Sequence, residues 1–251
     1  LPRLEALSDL LGPEALFTLD GNEQYSSINA FREHWEAWRE KEKIRALLDT
    51  GLLLIEQPAH RDETFSSSVA TEFADWPGRP SFIIDEADGA IDSLPQALAL
   101  GYDGASHKNC KGIVKGIANA ASLARDRKKR ERPVHLSGED LANVGPIALF
   151  QDLAMMAALG ISHFERNGHH YFKGLSAWPE SVQASMLENH GDLYRVHPEG
   201  YPTLGIKDGM LDLTSMNASP FGPRELLDLS SLDPVDLADP TCFISSGLPI
   251  D

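Results

Sequence analysis

Three carboxylates stand at the ends of apolar runs in this 251-residue chain, and their recurrence is its clearest chemical feature. Leu16-Phe17-Thr18-Leu19 runs into Asp20, Leu52-Leu53-Leu54-Ile55 into Glu56, and Phe82-Ile83-Ile84 into Asp85. Short aliphatic runs of this kind read as strands buried on both faces, as in a parallel sheet covered by helices. Pro58 has no N–H to give to a sheet ladder, so the second strand should stop just before it. Parallel neighbours would then deliver Asp20, Glu56 and Asp85 to one rim. A single carboxylate in such a place is equally a cap for the next helix. Three held close repel one another unless a cation lies between them. Three hard oxygen donors suit Mg²⁺, and no Cys/His spacing suggests Zn²⁺. Asp20, Glu56 and Asp85 are therefore the expected Mg²⁺ ligands.

Lys108 ends the next strand in order, within Ser106-His107-Lys108. A lysine facing a bound cation and partly desolvated has its pKa lowered, which suits a base working near neutral pH. A surface lysine in a polar loop explains the position equally well, and Lys111 is a competing candidate.

The elements that must position these groups alternate. The spacing predicts a helix over 1–11, stopped by Gly12-Pro13, and a long amphipathic helix over about 29–48 ended by Gly51. Further helices are expected near 68–76, 93–100, 113–127, 147–158 and 177–188. Short strands are expected at 104–107, 134–137 and 161–164. From residue 201 onward Gly, Pro and Asp are frequent and periodicity is weak. Six strands alternating with helices form the βαβ pattern of a parallel sheet. Polar residues gather after the strands, which marks the carboxyl face of such a barrel as the functional one. At that rim, Ser137-Gly138-Glu139-Asp140 and the run 165–171 are candidate substrate contacts, with Glu165 and His169 the foremost. The adjacent His169 and His170 point in different directions and read as ordinary loop histidines.

The totals set limits. A chain of this length can bury a large single α/β core. The formal net charge of −16 argues against a general nucleic-acid or anionic-membrane binder. The basic run 125–132 reads as the solvated end of a helix. Cys110 and Cys242 show no paired spacing, which makes a reducing compartment the default. No apolar run approaches the roughly 18 residues of a membrane span, and no signal peptide is visible. The expected location is the cytoplasm.

Taken together, Asp-Gly-Asn at 20–22, Ile-Glu-Gln-Pro at 55–58, Ile-Asp-Glu at 84–86 and Ser-His-Lys at 106–108 resemble the catalytic barrel of the enolase superfamily in order and spacing. The resemblance is strongest to the mandelate racemase and muconate lactonizing group, and covers about 16–172, more loosely to 213. It implies an α/β fold, a TIM-type (β/α)₇β barrel over 1–213, with 214–251 as a tail packing on the barrel or on a capping domain. It implies that Mg²⁺ on Asp20, Glu56 and Asp85 holds a substrate carboxylate while a base takes the α-proton, and that the cation stabilises the enediolate. By position it makes Lys108 a general acid/base, Glu86 an acidic neighbour of the third ligand with a catalytic role, and Asn22 an orienting or substrate-binding residue.

The sequence departs from that pattern in three places. No Lys-x-Lys lies in 1–19, where the family's other base would stand. The family's amino-terminal α+β capping domain and first strands have no counterpart. Lys108-Asn109-Cys110-Lys111-Gly112 lacks the usual double glycine, so its alignment can slip to Lys111. A piece of a larger enzyme is the resulting expectation. Its reaction would be racemisation, epimerisation, dehydration or cycloisomerisation of a small carboxylate, with homo-oligomerisation left open. The alternatives are a catalytically silent metal-binding barrel and an unrelated aldolase-like barrel with a Schiff base on Lys108.

Overall fold

The fold is described from a computed structural model, over residues 2–12, 14–139, 143, 145–166, 172–218, 223 and 225–232. Two compact units are present. The first comprises 1–141 and 155–167, the second 142–154 and 168–251.

The first unit is an open, six-stranded parallel sheet with helices in the crossovers, the topology of a half-barrel. Its strands are β1 (Phe17–Asp20), β2 (Leu52–Glu56), β3 (Phe82–Ile84), β4 (Gly104–His107), β5 (His135–Glu139) and β6 (Phe164–Glu165). They lie side by side in chain order, each pairing in parallel with the next. The central strands are buried on both faces, as their unbroken apolar runs require. Ile55, Phe82, Ile83 and Ile84 are all inaccessible to solvent. The last strand lies later than expected, at 164–165 instead of 161–164, and β5 extends through Glu139.

After the first helix, α1 (Pro2–Leu10), the helix expected over 29–48 is two helices, α2 (Ile28–Arg39) and α3 (Glu42–Gly51), with Lys41 extended between them. The cause is in the apolar phase. Ile28, Phe31 and Trp35 are buried on α2, and Ile44, Leu47 and Leu48 on α3. Nine residues separate Trp35 from Ile44, which on one continuous helix would set them about 180° apart. Breaking the helix lets both faces turn inward. Ser27 starts α2 by accepting the Ala30 N–H at 3.0 Å, and Glu72 accepts the Asn29 N–H at 2.9 Å. The core is aromatic, with Phe82 edge-on to Phe31 at 5.5 Å and Phe73 edge-on to Tyr102 at 5.0 Å.

The basic run 125–132 is only partly the solvated helix end expected of it. Arg125, Arg127, Lys128 and Lys129 are exposed. Arg132 instead turns back to the buried Asp103, with Nε donating to Oδ1 at 3.0 Å, and Arg130 stands 3.7 Å from the same carboxylate. A buried anion draws these cations in because leaving it unpaired would be costly.

Gly104 opens β4 where no side chain fits. A Cβ there would lie 1.9 Å from the His135 carbonyl oxygen of the paired strand. Gly104→Ala should cost about 1–3 kcal/mol by forcing β4 and β5 apart, read as a lower urea midpoint at unchanged slope.

The second unit has its own core of Leu149, Phe150, Leu153, Leu175, Val182, Met186 and Leu193. It includes the antiparallel hairpin β7 (Tyr194–Val196) and β8 (Pro202–Leu204), a pairing not expected from the sequence. Buried His190 stacks edge-on against Phe150 at 4.7 Å, and its Nδ1 lies 2.8 Å from Ser215 Oγ. Among the described residues, no helix is long and apolar enough to cross a membrane.

Candidate metal and acid–base site

Strand register decides which side chains can meet. Residues paired across parallel strands share a face, as do residues two apart along one strand. Asp20 pairs with Glu56, and Glu56 with Ile83, so Asp85 two residues on follows the same face. Ile84 pairs with Ala105, which sets Asp85 level with Ser106, and Lys108 lies two beyond. Ser106 pairs with Ser137, two before Glu139, and Glu139 pairs with Glu165. One face at the carboxyl rim thus receives Asp20, Glu56, Asp85, Lys108, Glu139 and Glu165.

Side-chain contacts agree with the register. Lys108 Nζ donates to Asp85 Oδ2 at 2.7 Å and forms an ion pair with Glu139 Oε1. Lys111 Nζ pairs with the other oxygen of Asp85, and donates to the Asp85 carbonyl at 2.8 Å and the Ser106 carbonyl at 3.0 Å. Asn22 does not point away toward a substrate. Its backbone N–H donates to Asp20 Oδ1 at 2.8 Å and its amide to Oδ2, so it orients the first candidate ligand. Glu86 Oε2 is buried with no hydrogen-bond partner among the described residues. Glu165 is exposed. His169, and the rest of 167–171, lie outside the described residues, as does Asp140.

The electrostatics record how close the carboxylates are. Burial, then the charges of Asp85 and Asp20, push Glu56 up to about 8. Asp20 is also raised, first by burial and then by Asp85 and Glu139. Asp85 moves the other way: burial alone would raise it, but Lys111 and Lys108 outweigh burial and lower it. Lys108 corrects an expectation. Burial tends to lower its pKa, but its bonds to Asp85 and Glu139 prevail and raise it.

A fit to a divalent cation rests on these donors. Asp20, Glu56 and Asp85 are hard oxygen donors on one face, and Glu56 is hard to ionise first because it is buried and then because the charges of Asp85 and Asp20 lie close. Both oxygens of Asp85 are held by lysines, and among the described residues no three acidic, His or Cys groups are gathered tightly enough to hold an ion as they stand. Binding would require the lysine contacts at Asp85 to open.

Two participants carry no distinct signal in the sequence. Glu139 stands in a run marked in the sequence only by its rim position, and its partnership with Lys108 needs the β4–β5 register. In the sequence Gln57 stands only as the middle of the Glu-Gln-Pro motif. It is buried with a positive φ of 30°, and its Oε1 accepts the Asp85 N–H at 2.7 Å and the Ala87 N–H at 3.2 Å. Its amide nitrogen donates to the Ala59 carbonyl and Thr64 Oγ1, both at 2.8 Å. A non-glycine residue held at positive φ by four bonds marks a place where local strain serves position. Here it fixes the turn that presents Asp85.

No family profile matches the chain, and no curated protein matches it. Solved structures do. A mandelate racemase/muconate lactonizing protein from Paracoccus denitrificans Pd1222 is similar over 86% of this chain and 51% of its own, at 17% identity and TM-score 0.49. A mandelate racemase/muconate lactonizing enzyme-like protein from Rubrobacter xylanophilus is similar over 90% of this chain and 50% of its own, at 15% identity and TM-score 0.47. A dipeptide epimerase from Cytophaga hutchinsonii, complexed with Mg and the dipeptide D-Ala-L-Val, is similar over 68% and 42%, at 15% identity and TM-score 0.46. The chain spans about half the length of these proteins or less. The first two carry the name of the group that the Asp-Gly-Asn, Glu-Gln-Pro, Asp-Glu and His-Lys motifs resemble.

Proposed function

We propose that this chain carries the metal and acid–base rim of a (β/α)₇β barrel, and that the rim serves Mg²⁺-dependent removal of the α-proton of a small carboxylate. The observation that carries the reading is the register. It sets three candidate oxygen ligands and a lysine on one face, with Lys108 in direct contact with Asp85. Asp20, Glu56 and Asp85 would hold the ion, which when bound supplies positive charge for a substrate carboxylate and for the charge that develops on it. Asn22 keeps Asp20 turned to the rim, and Gln57 fixes Asp85. Lys108 is the group that takes or returns a proton, at Nζ. Glu139 holds that Nζ from the far side, and Glu86 adds negative potential beside it. Which product follows proton removal is a property of groups that contact the rest of the substrate.

A second reading, a catalytically silent barrel, is favoured by one observation: Lys108 and Lys111 already balance Asp85. Calorimetric titration with Mg²⁺ separates the two. The wild-type chain should bind Mg²⁺ and melt at a higher temperature with it, and Glu56→Gln should lose both effects while remaining folded. A folded wild-type chain that takes up no Mg²⁺ would leave the silent barrel as the better account.

A further inference from the structure

Behind the rim, on the outer side of the sheet, lies a second buried charge cluster that the proposed chemistry does not use. Asp88, Lys115 and Asn119 are 1%, 8% and 4% exposed. Lys115 Nζ forms an ion pair with Asp88 Oδ2, and Asn119 Nδ2 donates to the same oxygen at 3.0 Å. Asp88 Oδ1 is buried with no hydrogen-bond partner among the described residues. Burying a charged pair with one oxygen unsatisfied is a poor way to gain stability, since well-packed apolar residues usually do as well or better. The cluster therefore invites an explanation in what it connects.

It joins the two segments that carry the site. Asp88 lies three residues after Asp85, and its backbone N–H donates to the Asp85 carbonyl at 2.9 Å. That same carbonyl accepts Lys111 Nζ at 2.8 Å. Lys115 lies one turn beyond Lys111, in the first turn of the helix Ile113–Asp126. The helix is seated against the strand just before Lys108: a Cβ on Gly116 would lie 2.4 Å from the His107 ring. His107 Nε2 in turn lies 3.0 Å from Asn109 Oδ1, on the segment between the two lysines. The turn after β3 and the segment after β4 are thus tied together at two levels, at Asp85 by Lys108 and Lys111, and beneath it by Lys115 on Asp88.

We propose that the Asp88–Lys115–Asn119 cluster is a positioning device for the candidate metal site, fixing Asp85 relative to the segment that carries Lys108 and Lys111. The proposal rests on the metal reading given above. The lower tie holds the backbone on both sides, so that the lysine contacts at Asp85 can open for a cation without the two segments drifting apart. Asp88, Lys115 and Asn119 act through Asp85 and do not themselves touch the ion.

The test is Mg²⁺ calorimetry on the full chain, with circular dichroism and thermal melting of the same samples. Lys115→Met should weaken Mg²⁺ binding about tenfold or more, the order seen when groups supporting metal ligands are removed. That substitution leaves Asp88 buried without its cation, so Asp88→Asn/Lys115→Met is measured beside it. The pair removes both charges together, keeps the fold, and should show the same loss. Lys115→Arg, which keeps the charge and can reach Asp88, should restore most of the affinity. Arg132→Met, at the opposite end of the strands, should lower the melting temperature and leave Mg²⁺ affinity unchanged. The proposal is overturned if the folded double variant binds Mg²⁺ as tightly as wild type. It is equally overturned if Arg132→Met weakens binding as much, because the loss would then follow stability and not position. If wild type and Glu56→Gln titrate identically, the metal reading itself has failed and the positioning role falls with it.

Discussion

Asp103→Asn should remove about 3–5 kcal/mol of stability at neutral pH, a large share of the roughly 5–15 kcal/mol that holds a domain together. Asp103 precedes β4 and is inaccessible to solvent. Its Oδ2 accepts Arg79 Nη1 at 2.7 Å and the Phe82 backbone N–H at 3.0 Å, and its Oδ1 accepts Arg132 Nε at 3.0 Å. Arg79 is itself buried, with its Cζ 4.1 Å from the Phe73 ring centroid. Removing the carboxylate charge leaves that buried cation with only neutral partners among the described residues, the Pro80 and Gly101 carbonyls included, which is why the loss should exceed that of a surface pair. The pH dependence follows from the direction of the shift. Burial would raise the Asp103 pKa, but its bonds to Arg132 and Arg79 outweigh burial and hold it below the ordinary 3.8. A carboxyl lowered in the folded state contributes its full stabilisation above the unfolded value, and loses it as pH falls through the folded one. Urea unfolding of wild type and Asp103→Asn should therefore differ most near pH 7, and the gap should close below about pH 4. A gap that stays constant down to pH 3 would show that the carboxylate charge is not what stabilises this end of the sheet.

Much of the site could be read from sequence because its makers are local. An unbroken aliphatic run ended by an acid states both that the strand is buried and where it stops, and Glu56 and Asp85 lie where those runs placed them. The features that escaped are set by partners far along the chain. Nothing near Lys108 indicates Glu139, which only the pairing of β4 with β5 brings alongside. Nothing in the basic run announces that Arg132 will reach back to Asp103. The break between α2 and α3 has no proline or glycine to mark it, yet the phase of Ile28, Phe31 and Trp35 against Ile44 and Leu47 contains it. The raised Lys108 pKa has no local signal either, because it comes from carboxylates that flank the ammonium on two sides.

Lys108→Met should abolish α-proton exchange into small carboxylates in D₂O, followed by proton NMR in the presence of Mg²⁺, by about 10²–10⁴-fold, the range that one positioned acid–base group supplies. Met keeps the length and apolar stem of the side chain and removes only the ammonium. Mg²⁺ affinity should survive or rise, because a cation competing for Asp85 Oδ2 is gone. That separation of exchange from binding is what a proton-transferring group predicts and a ligand-holding group does not. Lys111 supplies the internal comparison. Its ammonium has three N–H donors, and the Asp85 carboxylate, the Asp85 carbonyl and the Ser106 carbonyl take all three. Among the described residues Lys108 is bound to two carboxylates that a cation would recruit or relax, so the proposed function assigns the proton transfer to it. Lys111→Met should accordingly retain more exchange than Lys108→Met and lose more stability, since the Asp85 and Ser106 carbonyls each lose a buried donor, the former keeping the Asp88 N–H. A Schiff-base barrel gives a different pattern: borohydride with a carbonyl substrate would label wild type at Lys108, with no need of Mg²⁺. Exchange that persists in Lys108→Met and vanishes in Lys111→Met would transfer the role to the other lysine and overturn the assignment of the rim made from β4.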